Sequence, residues 1–536
     1  MRRDGDRASG ATVAFLDAAS PRRAPTPPRL GRYRDRVSPS ARPLRRRAVE
    51  TVSPLLQRLP SRGWAAPTAD RPGAAGALAA FVTARDELTA GRRPDDLAAT
   101  LTRILERADA ALARGDLDWT TEWFDEALQL AFHPTVHHSY ASSPVLAAPE
   151  DFLAPFRESE TGRRLLLAPD PVRAEHAGGP RALAACHSSW TFLDRLVEAT
   201  GAPTGPLSWS RLDLAALPPD QRPAHRRAVR ARARFALTGE RPAVPDHLAR
   251  HLESTDTLFV EWGAYPFAWL SLMDLGSTRL VCRLHRYEGM TPYPLLADFA
   301  NVDEMLLISP SVRDALAAAT PRLAQAHRVS TVRNPHDYTR FTTTKEPGAE
   351  RTLIQVGWAT PVKDVLFTLD VLESLRQEDP GWRLILVGPR PAHSVARDEA
   401  YACEAEARIA DLGDAVEVLG RRDDVPDLLR RAGFILSSSR HEGTHESVAE
   451  GAAAACVPVV RAWPDAERWA GGARSIYPET WIVADREAAA RRILDHAEPT
   501  ARERAGLEAS AWVAEHLRPE DVPAPYVDAV LGRHQR

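Results

Sequence analysis

Two glutamates stand eight residues apart in the stretch SSSRHEGTHESVAEGAAAACVPVV, residues 437–460. An apolar run, GFIL, precedes it, and the stretch itself ends in another, CVPVV. Read as strand, turn, helix and strand, the pattern puts Glu442 on the turn at a strand's C-terminal end and Glu450 about two turns into the helix. A helix N-terminus there presents free N–H groups and the positive end of the helix dipole, which suit a diphosphate. Gly443 lets backbone and ligand approach closely, and the alanines let the helix lie against a sheet. An acidic cap on a core helix accounts for the same residues, so both readings stand on this stretch alone.

Other clusters carry less chemistry. Asp116-Leu117-Asp118 has the spacing of a metal-binding DxD, but it falls between two helical segments and reads as capping, with Asp118 the expected N-cap. His133, His137 and His138 have no Cys or acid beside them at zinc spacing, so no metal site is expected. Cys186, Cys282, Cys403 and Cys456 are far apart and form no CxxC; they read as reduced core residues of a cytoplasmic protein. No apolar run is long enough to span a membrane, and the first twenty residues hold no continuous signal-peptide core.

The elements that would position these residues follow from the periodicity. Of 536 residues, 44% are hydrophobic and 26% charged, which is ordinary for a globular chain large enough for two domains. Residues 1–72 read as a disordered Arg/Pro-rich leader. Within 1–63 there are fifteen arginines, no lysine and five acids, a net +10 on a chain of net −3. That arm could touch an anionic surface such as the inner face of a membrane, or be a passive tail. It has no interleaved aromatics, and no nucleic-acid partner is expected. Residues 73–158 carry apolar residues at three-and-four spacing and read as a helical extension. From 159 to 345 short apolar runs, starting with RRLLLAPD, alternate with helical stretches. After the polar break FTTTKEPGAE the alternation resumes over 346–500, and 501–536 read as C-terminal helices. The expected fold class is α/β: two Rossmann-like, doubly wound parallel-sheet lobes with a cleft between them at the strand C-termini.

Several ordered motifs resemble the retaining glycosyltransferases of the GT-B fold, family 4 (glycosyl transferases group 1). The opening stretch resembles that family's E-x7-E signature. LIQVGWATPVKD resembles its first second-lobe strand and phosphate loop, LILVGP the next strand, and VEVLGRRDDVPDLLRRAGFILSSS the segment before the signature. ISPSVRDAL and RNPHDYTRF look like its first-lobe strand and its entry to the second lobe. The resemblance covers roughly 160–530 and is tighter in the second lobe.

The resemblance implies a sugar transfer from a nucleotide diphosphate donor, of UDP or GDP type, with retention of configuration and no metal or other cofactor. Glu442 would contact donor-sugar hydroxyls, and Glu450 the ribose. Backbone N–H groups of Gly443, Thr444, His445 and Glu446 would face the sugar and phosphates, beside Gly357 of the phosphate loop. Lys363 would neutralise the diphosphate, and His285 would lie near the reacting centre. Arg421 would border the base. Trp358 stands where the family usually has arginine, and Arg440 or Arg421 would have to substitute for it. The implied acceptor is a glycan, polyol phosphate or lipid-linked precursor of the cell envelope. A GT-B epimerase or phosphorylase, or a non-catalytic scaffold, are the alternative readings.

Overall fold

The computed structural model describes residues 74–203, 205–393 and 395–533. The Arg-rich leader, and the short helix that residues 41–59 suggest, lie outside the described residues. The described residues from 77 onward pack as one unit.

Three helices open the described chain: α1 (Ala74–Thr89), α2 (Leu97–Ala113) and α3 (Leu117–Ala131). The N-cap of α3 is Asp116, not Asp118: its carboxylate accepts from Trp119 N at 3.1 Å, and Asp118 falls in the first turn. Trp119, Trp123, Phe124 and Leu128 are buried, as one face of an amphipathic helix should be. Short helical turns carry the chain on to Leu167. The run RRLLLAPD, expected to open the alternation of the next lobe, is instead a π-helical turn over Arg163–Leu167, and the first strand begins only at Arg181.

The first lobe is a six-stranded parallel sheet in the order β2-β1-β3-β4-β5-β6. Its strands are β1 (Arg181–Cys186), β2 (Ser208–Asp213), β3 (Thr257–Glu261), β4 (Arg279–Leu284), β5 (Glu304–Leu307) and β6 (Val329–Thr331). Helix α4 (Thr191–Thr200) follows β1, and α5 (Pro310–Ala319) follows β5. The central strands are buried along their whole length yet carry charge. Arg279 and Arg283 are fully buried, and Arg283 pairs with Glu261 at 2.8 Å.

The second lobe repeats the plan in the order β12-β11-β10-β7-β8-β9. Here β7 (Thr352–Val356), β8 (Arg383–Val387), β9 (Val416–Gly420), β10 (Phe434–Ser437), β11 (Val457–Arg461) and β12 (Ile482–Val483) are all parallel. Helix α6 (Val365–Glu378) follows β7, and α7 (Glu446–Ala453) follows β10. Gly451 lies so close to Ile435 that any side chain there would meet it, which is how α7 reaches the sheet. Two further helices end the chain, α8 (Pro499–His516) on the second lobe and α9 (Pro523–Leu531) on β3 and β4 of the first. Two Rossmann-like lobes with a returning C-terminal helix make the GT-B arrangement.

Among the described residues no helix is long and apolar enough to cross a membrane. Cys186, Cys282 and Cys456 are buried and free, whereas Cys403 is exposed rather than in the core.

Candidate active site

In the second lobe the strand order reverses between β7 and β10. The connections from β7 lead toward β8 and β9, those from β10 toward β11 and β12. At such a switch point the two loops diverge and leave a crevice at the strand C-termini. Lys363 follows β7 on a 3-10 turn (Pro361–Lys363), and Glu442 follows β10. They meet there, with Lys363 Nζ 2.6 Å from Glu442 Oε1. Ser439 Oγ donates to the same oxygen at 2.8 Å. The two loops are also tied by Ser438 Oγ, which donates to the Lys363 carbonyl at 2.6 Å, and by Arg440 N, which donates to the Val362 carbonyl at 2.8 Å.

Glu442 is 7% exposed. Burial alone would raise its pKa, but Lys363, with His445 and Arg286, more than offsets this and holds the carboxyl well below the ordinary range. It is therefore a fixed anion facing a lysine ammonium. His445 caps α7 in the left-handed region, φ 51°. Its Nδ1 lies 2.7 Å from Ser437 Oγ, and its buried Nε2 has no hydrogen-bond partner. Burial, then Lys363, pushes its pKa down to about 3, so the ring is neutral at physiological pH.

The other expected residues divide. Thr444 Oγ1 and Tyr338 Oη donate to the two carboxylate oxygens of Glu446, each at 2.6 Å, and Tyr477 Oη donates to the Thr444 carbonyl at 2.7 Å. Glu450 faces the segment that links the lobes, with Arg340 at 3.6 Å and His336 Nε2 at 3.0 Å. Gly357 (φ 84°) lies under the stem of Lys363. A Cβ added at Gly443 would meet Cδ1, the tip of the Ile308 side chain in the first lobe.

Three expected residues stand apart from this cluster. Trp358 is fully buried in the second-lobe core, and only its backbone belongs to the loop, its carbonyl accepting from Tyr401 Oη at 3.0 Å. An apolar indole beside α6 does better in the core than at a phosphate. Arg440 is committed to Asp465 at 2.8 Å, to Ser142 Oγ at 3.0 Å and to the Tyr140 ring at 5.2 Å. Arg421 is exposed at the end of β9, three strand steps from β10, roughly 14 Å at the usual spacing.

His285 sits at the end of β4, where Nε2 is 2.8 Å from Glu261 Oε1 and the ring packs against Phe192 and Trp262, with centroids 5.1 Å and 4.3 Å away. The residue after it crosses the cleft. Arg286 Nη1 is 2.9 Å from His441 Nδ1, and its Nε is 3.9 Å from Glu442 Oε2. Sequence reasoning missed Arg286, His441 and Ile308; the signal available was the adjacency of Arg286 to His285.

The helical extension reaches the same place. The His138 ring stacks on Tyr287 of the first lobe at 4.6 Å. Tyr140 Oη donates to Asp364 at 3.3 Å, Ser142 Oγ donates to Asp465 at 2.7 Å, and Trp469 Nε1 donates to the Leu146 carbonyl at 3.0 Å, all in the second lobe. Residues 138–147 thus form a strap touching both lobes. His137 is turned inward, with Nδ1 2.7 Å from Ser143 Oγ and Nε2 2.9 Å from the Ala131 carbonyl. Among the described residues no three His, Cys, Asp or Glu side chains gather as a metal site would require.

Comparison with solved structures finds TarM, aligned over 51% of this chain and 54% of its own (12% identity, TM-score 0.41). Anabaena Alr3699/HepE in complex with UDP and glucose aligns over 66% of this chain and 100% of its own (14%, 0.46). Pneumococcal GtfA, an O-GlcNAc transferase solved with UDP and GlcNAc, aligns over 54% and 59% (12%, 0.41). The alignment thus spans only about half of TarM's length, and the fold assignment rests on the two sheets themselves. No curated protein sequence matches the chain. Residues 350–498, the second lobe from the start of β7 to the loop before α8, match the model of glycosyl transferases group 1.

Proposed function

We propose that the protein is a retaining glycosyltransferase that moves a sugar from a nucleoside diphosphate donor, of UDP or GDP type, to a hydroxyl acceptor of the glycan, polyol-phosphate or lipid-linked kind. The observation that carries this reading is the Lys363–Glu442 pair at the switch point, inside the segment that matches the glycosyl transferases group 1 model.

Each group then has a task. Lys363 is a compact cation on a flexible stem, and 22% of its side chain is exposed. It can swing from Glu442 to a diphosphate and stabilise the charge that develops as the nucleotide leaves. The N-terminus of α7 offers N–H donors on the same side. Glu442, held ionised, accepts hydrogen bonds from donor-sugar hydroxyls. Glu450 would accept from the ribose. His285 is held by Glu261 and sets the position of Arg286 at the cleft. The acceptor attacks from the face the nucleotide leaves. No metal enters this account, because Lys363 and the helix N-terminus supply the positive charge at the diphosphate.

The test is transfer from a panel of UDP- and GDP-sugars, with and without EDTA. Glu442→Ala should abolish transfer while leaving the melting temperature unchanged, and wild-type transfer should survive EDTA. Near-wild-type turnover in a folded Glu442→Ala protein would overturn the assignment. Activity lost with EDTA and restored by Mg²⁺ would overturn the metal-free part.

A further inference from the structure

Glu442 lies between two cations, one from each lobe. Lys363 of the second lobe holds Oε1 at 2.6 Å, and Arg286, from the loop after β4 of the first, brings Nε to 3.9 Å from Oε2. The second distance is too long for a hydrogen bond. Among the described residues the Arg286 guanidinium donates only once, from Nη1 to His441 Nδ1 at 2.9 Å. That partner carries no charge, because burial, then Arg286 itself, pushes the His441 pKa well down.

The neighbouring arginines are committed differently. Arg440 meets Asp465 at 2.8 Å, and Arg461 meets Asp364 at 2.6 Å, each a carboxylate. A guanidinium has five N–H donors in a fork that matches a carboxylate or a phosphate. Arg286 therefore keeps most of its donors, and its charge, out of any hydrogen bond to an anion, beside the lysine of the proposed reaction.

From this arrangement we infer that Arg286 binds the diphosphate of the donor together with Lys363, so that the nucleotide is gripped from both lobes. The inference rests on the glycosyltransferase reading and adds a first-lobe residue to its donor site. A departing nucleoside diphosphate carries more than one negative charge, so a single ammonium leaves part of it unneutralised. Phosphate oxygens are far stronger acceptors for a guanidinium than a neutral imidazole is, and they can take two N–H groups at once. The movement required is short. The stem of Arg286 runs along the turn that leads into α7, its Cβ 3.6 Å from where a methyl on Gly443 would lie. A cavity of about 30 Å³, room for a water-sized group, touches Arg286, Ser311, His441 and Glu442, so the guanidinium has space to turn off the imidazole. Because Arg286 belongs to the first lobe, the same contact lets donor binding draw the lobes together.

The experiment is a calorimetric titration of UDP, UMP, GDP and GMP into full-length wild type, Arg286→Gln and Arg286→Lys. Arg286→Gln keeps an N–H for His441 and removes the charge. It should bind the favoured diphosphate at least tenfold more weakly than wild type, while the matching monophosphate weakens less than threefold. Arg286→Lys keeps the charge but not the fork, serves if the neutral variant fails to fold, and should lose at least threefold on the diphosphate. A folded variant that loses less than this on the diphosphate overturns the assignment; that is also the outcome if the guanidinium serves a phosphate carried by the acceptor. An equal loss on diphosphate and monophosphate overturns it too, and would mark Arg286 as a brace between the lobes. Wild type that binds no nucleotide overturns the glycosyltransferase reading itself, and the inference with it.

Discussion

Both lobes have a switch point, and the two are filled in opposite ways. In the first lobe the strand order turns between β1 and β3, and aromatic rings close the crevice. Trp262, at φ 70°, donates to the Ser189 carbonyl at 2.9 Å, with Phe192 and His285 packed around it. The carboxylate there, Glu261, is fully enclosed by Arg283 and His285, and Arg283 is held in turn by Tyr526 of α9 at 3.0 Å. In the second lobe the carboxylate is Glu442, and its cation is a partly exposed lysine that, among the described residues, no third side chain holds by a hydrogen bond. The same pairing of acid and base at a strand end is fully enclosed in one lobe and partly open in the other. A buried, planar guanidinium held between Glu261 and Tyr526 cannot be lent to a ligand; a lysine at the edge of water can.

Removing the cation from each pair should separate them most sharply. Arg283→Ala leaves Glu261 buried without its partner and should cost about 3–5 kcal/mol of unfolding free energy. Lys363→Met removes a partly exposed cation and leaves the buried Glu442 with Ser439 still donating and Arg286 nearby, so it should cost less, about 1–3 kcal/mol. Urea denaturation of both variants checks this, and equal losses would break the comparison.

Gly443→Ala addresses the closeness of the lobes at the site. A methyl there meets only the flexible Cδ1 end of Ile308, which can turn aside, so the cost should be about 1 kcal/mol, the low end for overpacking. Adding Ile308→Ala should recover most of the loss in melting temperature. A Gly443→Ala protein as stable as wild type would mean that the cleft is already open in solution.

A smaller effect is expected from pH. Burial pushes the pKa of His137 in the strap and of His445 at the site down to about 3 in each case. Both rings are neutral in the fold and take up protons in the unfolded chain below its value of 6.5. The unfolded state then binds more protons, so stability should fall as pH drops from 6.5 toward 3. His137→Asn should flatten that slope, measured as melting temperature against pH; an unchanged slope would mean that the strap releases before the fold does.

The second lobe was the more legible. LIQV, LILV, FILS and VPVV are apolar strands bounded by turns, and the GT-B plan follows from them. The cluster of Lys363 with Glu442 also lies where motif order put it. The first lobe hid more, because β3 and β4 carry Glu261, Arg279 and Arg283 inside a buried sheet, and because RRLLLAPD has a strand's composition but closes a helical turn. Trp358 was misplaced since nothing in a glycine-led loop says which way an indole turns. The crossing of Arg286 to His441 spans 155 residues, and that of Ser142 to Asp465 spans 323. Contacts at such separation leave no period in a sequence, so the strap had no local signal.

The smallest effect concerns the basic leader. Deleting residues 1–63 should leave activity on a soluble acceptor unchanged and weaken salt-sensitive sedimentation with anionic liposomes, since each basic residue near such a surface adds about 1 kcal/mol. Equal sedimentation of both forms at low salt would mark the arm as a passive tail.

The central claim is that the Lys363–Glu442 switch point receives a nucleoside diphosphate. Calorimetric titration of UDP, GDP, ADP and CDP into wild type and Lys363→Met tests it directly. The account predicts that wild type binds at least one of them and that Lys363→Met binds it at least tenfold more weakly, about 1.4 kcal/mol, with its fold intact. Wild type that binds none of the four, or a variant that binds as tightly as wild type, would contradict it.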